Sequence, residues 1–164
     1  MGMMATIMNA LAFEATVRKL GYDKVVVYSA LEIKTVTRSY NYRFAREKLE
    51  EGYIAIFAGG TGYSYFTTDT GATIRAIEIK ADAILMAKNG TKGVYDSDPN
   101  ENPDAKFLSE LTHQEVLQKD LKVMDGTAAA LARDSKMKIE VFDMNGENNL
   151  HKVLHNELES TIIK

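Results

Sequence analysis

The sequence predicts an α/β layered domain with a mostly parallel sheet. Strand-sized apolar runs alternate with helix-sized segments, and the runs are apolar at nearly every position rather than every second one. A strand buried on both faces reads that way, and such strands belong to parallel sheets covered by helices. The size agrees. A chain of 164 residues with 45% hydrophobic content suits one ordinary domain, which buries roughly 70% of the surface its unfolded chain exposes.

The elements follow in order. Met4, Ile7, Met8, Leu11, Ala12 and Ala15 recur at three- and four-residue spacing before Gly21, an amphipathic helix closed by a glycine. Its methionines read as core or subunit-interface filler. Residues 24–28 (KVVVY) form a β-branched strand. A second helix spans 41–51 and stops at Gly52, and 53–58 (YIAIFA) is a strand that runs into Gly59-Gly60-Thr61-Gly62. Thr67, Thr68 and Asp69 supply N-cap residues for a helix through Ile79. Residues 83–87 (AILMA) are a third strand, and the proline-bearing stretch 96–103 is a loop. Thr112 with Glu115 makes a capping box that places His113 at the surface. Asp125 opens an alanine-rich helix through Arg133, 138–142 (KIEVF) is a fourth strand, and 161–163 is a terminal one. In such folds ligands sit beyond the carboxyl ends of the strands, which directs attention to the turns after Ala58, Ala87 and Phe142.

Composition removes several function classes. Twenty Lys+Arg against 23 Asp+Glu give a net charge of −3, so there is no basic footprint for a nucleic-acid backbone. Zero cysteines exclude disulfides, thiolate metal sites and a cysteine nucleophile. No apolar run approaches the ~20 residues of a membrane helix, and the Met-rich start lacks a secretory leader. The expectation is a cytoplasmic globular protein with no nucleic-acid or membrane partner.

Two segments carry chemistry. Glycines at 59, 60 and 62 after a strand let backbone N–H groups approach a phosphate, and the helix N-terminus at Thr67–Asp69 adds a second anion cradle. On spacing alone this stands level with an ordinary strand–helix loop. It is neither a Walker A loop, for want of Gly-Lys-Ser/Thr, nor a dinucleotide fingerprint, for want of the third glycine. The stretch from Asn89 to Pro99 offers an aromatic and two carboxylates to a base and ribose, although a solvated turn is the commoner use of such residues. Asp125, after Lys122, has helix capping as its ordinary role. His151 and His155 stand four apart but have neither an HExxH motif nor a third ligand, so they read as a solvated helix face and no metal ligand is assigned.

Taken together, GGTGxxxFTTD (59–69), GATIRAIEIKADAILMAKNG (71–90), GVYDSDP (93–99), NPDAKFLSELTHQEVL (102–117), LKVMDGTAAALARD (121–134) and VFDMN (141–145) occur in this order and spacing in bacterial uridylate (UMP) kinases. The chain resembles that family, part of the amino-acid-kinase superfamily, over essentially its whole length. The resemblance implies a three-layer αβα sandwich, with 1–164 as a single domain. It implies the reaction ATP + UMP → ADP + UDP of pyrimidine nucleotide biosynthesis, with Mg²⁺. It places UMP on Thr61, Gly62, Tyr63, Ser64, Tyr65, Phe66, Thr67 and Thr68, and ATP on Asn89, Tyr95 and Asp98. Asp69, Lys122 and Asp125 match the positions that act on the transferred phosphate. A homo-oligomer, hexameric in the family, with UTP and GTP as effectors, is implied as well.

The chain also departs from the family. Tyr63-Ser64-Tyr65 stands where the family has Asn-Pro-Phe, and Lys92 replaces an aspartate. The opening helix matches one that follows a first nucleotide-cradling unit in the family, with its Lys-Leu-Ser-Gly and Gly-rich phosphate contacts. The sequence therefore reads as N-terminally incomplete. Two functions remain: a UMP kinase, or an inactive remnant that binds nucleotide or co-assembles with full-length subunits. An acetylglutamate- or carbamate-kinase-like activity fits the 66–69 and 121–125 segments less well.

Overall fold

The computed structural model describes residues 1–164. Its backbone divides into two compact units, Met1–Lys80 and Ala81–Lys164.

The first unit contains α1 (Gly2–Lys19), β1 (Val25–Ser29), β2 (Arg38–Ser39), α2 (Tyr42–Glu50), β3 (Ile54–Ala58) and α3 (Thr68–Ile79). Its sheet has the order β2-β1-β3 and is wholly parallel, with Val25 beside Ile54 and Tyr28 beside Arg38. No strand pairs with β3 on its far side. Every residue of β1 is buried, as the unbroken apolar run requires, because helices cover both faces. Val27, Ala58 and Ile56 pack with Ile7, Ala10 and Leu11 of α1. Val26, Tyr28, Ala55 and Phe57 pack with Ala45 of α2 and Ile79 of α3. Helix α1 turns a different face inward from the one its spacing suggests. Ile7 and Leu11 face the sheet, while Met4, Met8 and Phe13 are exposed. The helix is apolar on more than one side, so spacing could not choose between them.

An aromatic knot braces this unit. The rings of Tyr28, Tyr40 and Phe57 meet at centroid distances of 5.5–6.3 Å, and the Arg75 guanidinium lies 3.8 Å above Tyr40. Arg75 pairs with Glu78 at 2.7 Å, and Glu78 also accepts the Tyr40 hydroxyl at 2.6 Å. Burial, reinforced by the neighbouring Glu78 carboxylate, raises the Tyr40 phenol far above its ordinary range. Arg75 also donates to the Gly60 carbonyl at 3.4 Å, so the knot is tied to the glycine loop.

The second unit runs β4 (Ala83–Lys88), β5 (Val94–Tyr95), β6 (Phe107–Leu108), β7 (Glu110–Leu111), α4 (His113–Gln118), α5 (Gly126–Ser135), β8 (Lys138–Asp143), α6 (Asn149–Leu154) and β9 (Thr161–Ile163). Strands β4 and β8 pair in parallel, β9 joins β8 antiparallel, and β7 pairs with β9 in parallel. Strands β5 and β6 form a separate antiparallel ribbon. The sheets are thus mostly parallel, as predicted. The capping box forms as written in the sequence: Thr112 accepts from the Glu115 N–H at 3.1 Å, and the Glu115 side chain accepts from the Thr112 N–H at 2.9 Å.

His113 is a correction. It is buried (7% exposed) rather than on the surface, with its Nε2 lacking a partner. The capping box marks the helix start but not which side packs, and here the first turn of α4 faces inward. Burial is the main cause that lowers the His113 pKa, and Arg133 lowers it further against a hydrogen bond to the Met137 backbone. The fold therefore favours neutral imidazole. Its stabilisation is complete above the ordinary histidine value and is lost as the pH falls through the lowered one. Thermal unfolding followed from pH 7 to pH 5 should show a shallower acid decline for His113→Gln than for the wild type.

Candidate functional site

The glycine loop is built by the first unit. At Gly59 φ is +79°, and a Cβ would lie 3.2 Å from Ser29 Oγ and 3.3 Å from the Ala30 and Leu31 backbone nitrogens. Only glycine holds this turn without strain. The Gly59 N–H donates to Thr6 Oγ1 of α1 at 3.0 Å, and the Gly62 N–H donates to the Gly59 carbonyl at 3.1 Å. The first turns of α3 lie against the loop: a Cβ on Gly71 would meet the Gly60 carbonyl carbon at 3.6 Å, an ordinary contact.

Beyond the glycines, Tyr63, Ser64, Tyr65, Phe66, Thr67 and Thr68 are all exposed, with Thr61 and Gly62 intermediate. Tyr65 adopts φ +68° and its side chain stands fully in solvent. Thr67 caps α3 by accepting from the Thr70 N–H at 3.3 Å. Asp69 lies in the first turn of α3, where a carboxylate and the free N–H groups of the helix end favour one another. The predicted residues 61–69 thus form one continuous, mostly exposed segment of the first unit.

The second unit holds a cavity of about 490 Å³, within the usual size range of small-molecule sites. It lies beyond the carboxyl end of β4, where the parallel-sheet rule places a ligand. Asn89, Tyr95, Asp98 and Lys122 all line it, although 33 positions separate the first from the last. Asn89 Oδ1 accepts from Asn145 Nδ2 at 2.6 Å, which ties the turn after β4 to the turn after β8. Tyr95 meets Phe107 edge to face at 5.5 Å. Asp98 fixes its loop by accepting from the Asn100 N–H and Nδ2 at 2.9 and 3.0 Å. The Asp96 carboxyl lies below its ordinary pKa chiefly because the Lys106 N–H donates to it.

Lys122 sits in the α4–α5 connection between half-buried Leu121 and buried Val123. Asp125 is not among the lining residues. It caps α5, accepting from the Thr127 and Ala128 N–H groups at 2.9 and 3.1 Å, the role that position alone suggested. Sequence reasoning missed Lys88, Lys119 and Asp120, which share the cavity wall. The only signal for them was the run Lys119-Asp120-Leu121-Lys122, whose convergence on Lys88 depends on the fold. Lys88, Lys119 and Lys122 line the cavity together with Asp96, Asp98, Glu101 and Asp120, and Lys119 also pairs with Glu115 at 3.5 Å; such a mixed lining suits a ligand that carries both phosphate and hydroxyl groups. His151 and His155 stack at 4.2 Å on α6 and join no third metal-capable side chain.

Comparison with known proteins gives a consistent picture. The family model described as "Amino acid kinase family" matches residues 1–143. The uridylate kinase of Mycoplasma capricolum is 66% identical over 164 residues, covering all of this chain and 69% of that protein. The uridylate kinase of Mesoplasma florum gives the same figures. The crystal structure of UMP kinase from Ureaplasma parvum superposes with a TM-score of 0.95 at 40% identity, over 99% of this chain and 68% of that one. At such a score the architecture is the same over the shared length, and the expected αβα arrangement holds. No helix is long and apolar enough to cross a membrane.

Proposed function

The chain belongs to the amino acid kinase family, and within it to the uridylate kinases, and from that premise we propose that it transfers the γ-phosphoryl group of ATP to UMP. The observation that carries the structural side is the cavity of the second unit, with Lys88, Lys119 and Lys122 on one wall system with Asn89, Tyr95 and Asp98. In this reading it takes ATP. Tyr95 lies along the base, Asp98 receives ribose hydroxyls, and the lysines neutralise the phosphates. The loop from Thr61 and Gly62 through Tyr63, Ser64, Tyr65 and Phe66 to Thr67 and Thr68 takes UMP. Asp69 orients the groups around the transferred phosphoryl.

Phosphoryl transfer asks little covalent chemistry of a protein. It asks for in-line positioning and for neutralisation of charge on the phosphoryl oxygens. Lys122 supplies a cation, and Asp125 holds α5 and so fixes the end of the segment that presents Lys122. No three His, Asp or Glu side chains converge to form a protein cage for a cation. Mg²⁺ in such reactions is carried largely by the nucleotide phosphates, so we assign it no residue and derive no step through it. The same reading extends to a cytoplasmic homo-oligomer, hexameric, with UTP and GTP as effectors. The outward apolar side chains of Met4, Met8 and Phe13 on α1 support association.

The test is ADP release by the purified chain with UMP, CMP or AMP as acceptor. Turnover specific to UMP is expected, and equal rates with the three acceptors would sink the proposal. The second reading is the one the sequence left open. It is a chain that binds nucleotide without turnover of its own, and ATP binding with no ADP release would select it.

A further inference from the structure

We propose that Thr161, remote in sequence from every nucleotide loop, is a positioning residue for the adenine-nucleotide cavity; the proposal rests on the assignment of ATP to that cavity. Thr161 is fully buried on β9. Its Oγ1 accepts from the Val94 N–H at 2.8 Å and donates to the Leu108 carbonyl at 2.6 Å. Val94 and Leu108 face one another across the β5–β6 ribbon, so one hydroxyl bridges both strands at one rung. The ribbon belongs to a separate sheet from β9. Thr161 is thus a polar rivet between the ribbon and the four-stranded sheet of this unit.

The ribbon in turn presents the nucleotide loop. Gly93, Val94 and Tyr95 line the cavity, and the loop from Asp96 to Glu101 continues its wall. On the sheet side Thr161 pairs in register with Val141, itself a lining residue. Gly93 packs so closely that a Cβ there would overlap Thr161 Oγ1 and lie 2.9 Å from the Phe107 ring. The nearby Lys92–Glu159 pair, at 3.2 Å, is largely exposed and adds little hold. The fully buried Thr161 hydroxyl, bonded at both ends, is a stronger tie than such a pair. Removing the hydroxyl should therefore let the ribbon, and Tyr95 with it, shift against the cavity floor.

The test compares Thr161→Val, which keeps the shape and deletes the hydroxyl, with Thr161→Ser, which keeps the hydroxyl. A fluorescent ATP analogue and UMP are titrated separately, and Val94 amide exchange is followed by NMR. Thr161→Val should weaken the analogue about tenfold, the factor one lost buried hydrogen bond carries, while UMP affinity changes less than about twofold. Val94 exchange should accelerate, and Thr161→Ser should restore both properties. Wild-type-like analogue binding by Thr161→Val, or equal weakening of analogue and UMP, overturns the proposal. In the wild-type chain the bound analogue should slow exchange at Val94. No change there overturns the proposal without any variant. A wild-type chain with no affinity for the analogue overturns the ATP assignment and the proposal together, whereas binding that Thr161→Val leaves intact overturns the proposal alone.

Discussion

Replacing Lys122 by alanine is expected to lower kcat/KM for UMP phosphorylation by about 10²–10³, the usual loss for one electrostatic contact to developing charge. Lys122 lines the cavity on a connection held at both ends. Val123 beside it is 3% exposed, and the N–H groups of Leu121 and Val123 are bonded to the carbonyls of Val116 and Leu121. The ammonium is therefore presented by backbone that cannot readily follow a missing side chain. If it stabilises charge that grows during transfer, kcat falls while KM for ATP stays within a few-fold. Steady-state kinetics with ATP varied at saturating UMP separates the cases. A raised KM with unchanged kcat would make Lys122 a binding anchor only. Lys122→Arg should recover part of the rate, because charge is kept but the compact ammonium is not.

The second large effect falls on stability. Gly93→Ala places a methyl group where Thr161 Oγ1 and the Phe107 ring already stand, in a fully packed region. Overpacking of this kind costs about 1–3 kcal/mol, which for a chain of this size lowers Tm by roughly 3–10 °C. The clash names its own suppressor: Gly93→Ala combined with Thr161→Ala should regain part of the lost Tm. Calorimetry of the four proteins decides it. Additive losses in the double variant would place the strain elsewhere.

Legibility in the sequence followed the range over which each feature is determined. Strands β1, β3, β4 and β8 announce themselves as short runs rich in apolar residues, although only β1 is buried at every position. Helices α3, α4 and α5 announce their starts through Thr67, Thr112 and Asp125, whose side chains bond N–H groups two or three residues on. The two-residue strands β2, β5, β6 and β7 carry no such local record, since partners elsewhere in the chain create them. The faces of α1 and the burial of His113 were hidden for the same reason. At the candidate site, the family resemblance singled out Asn89, Tyr95, Asp98 and Lys122, and all four line one cavity. Lys88, Lys119 and Thr161 could not be found that way, because nothing near them in sequence records the approach that the fold imposes.

Strand β3 has a practical consequence. Its five residues, Ile54–Ala58, contain neither charge nor proline, and they form the last strand of their sheet. Sheets usually guard such margins with lysine, a bulge or a proline. Here an incoming chain would find a ready template, so solubility during refolding should fall steeply with protein concentration. A single lysine at the exposed Ile54 is the natural remedy.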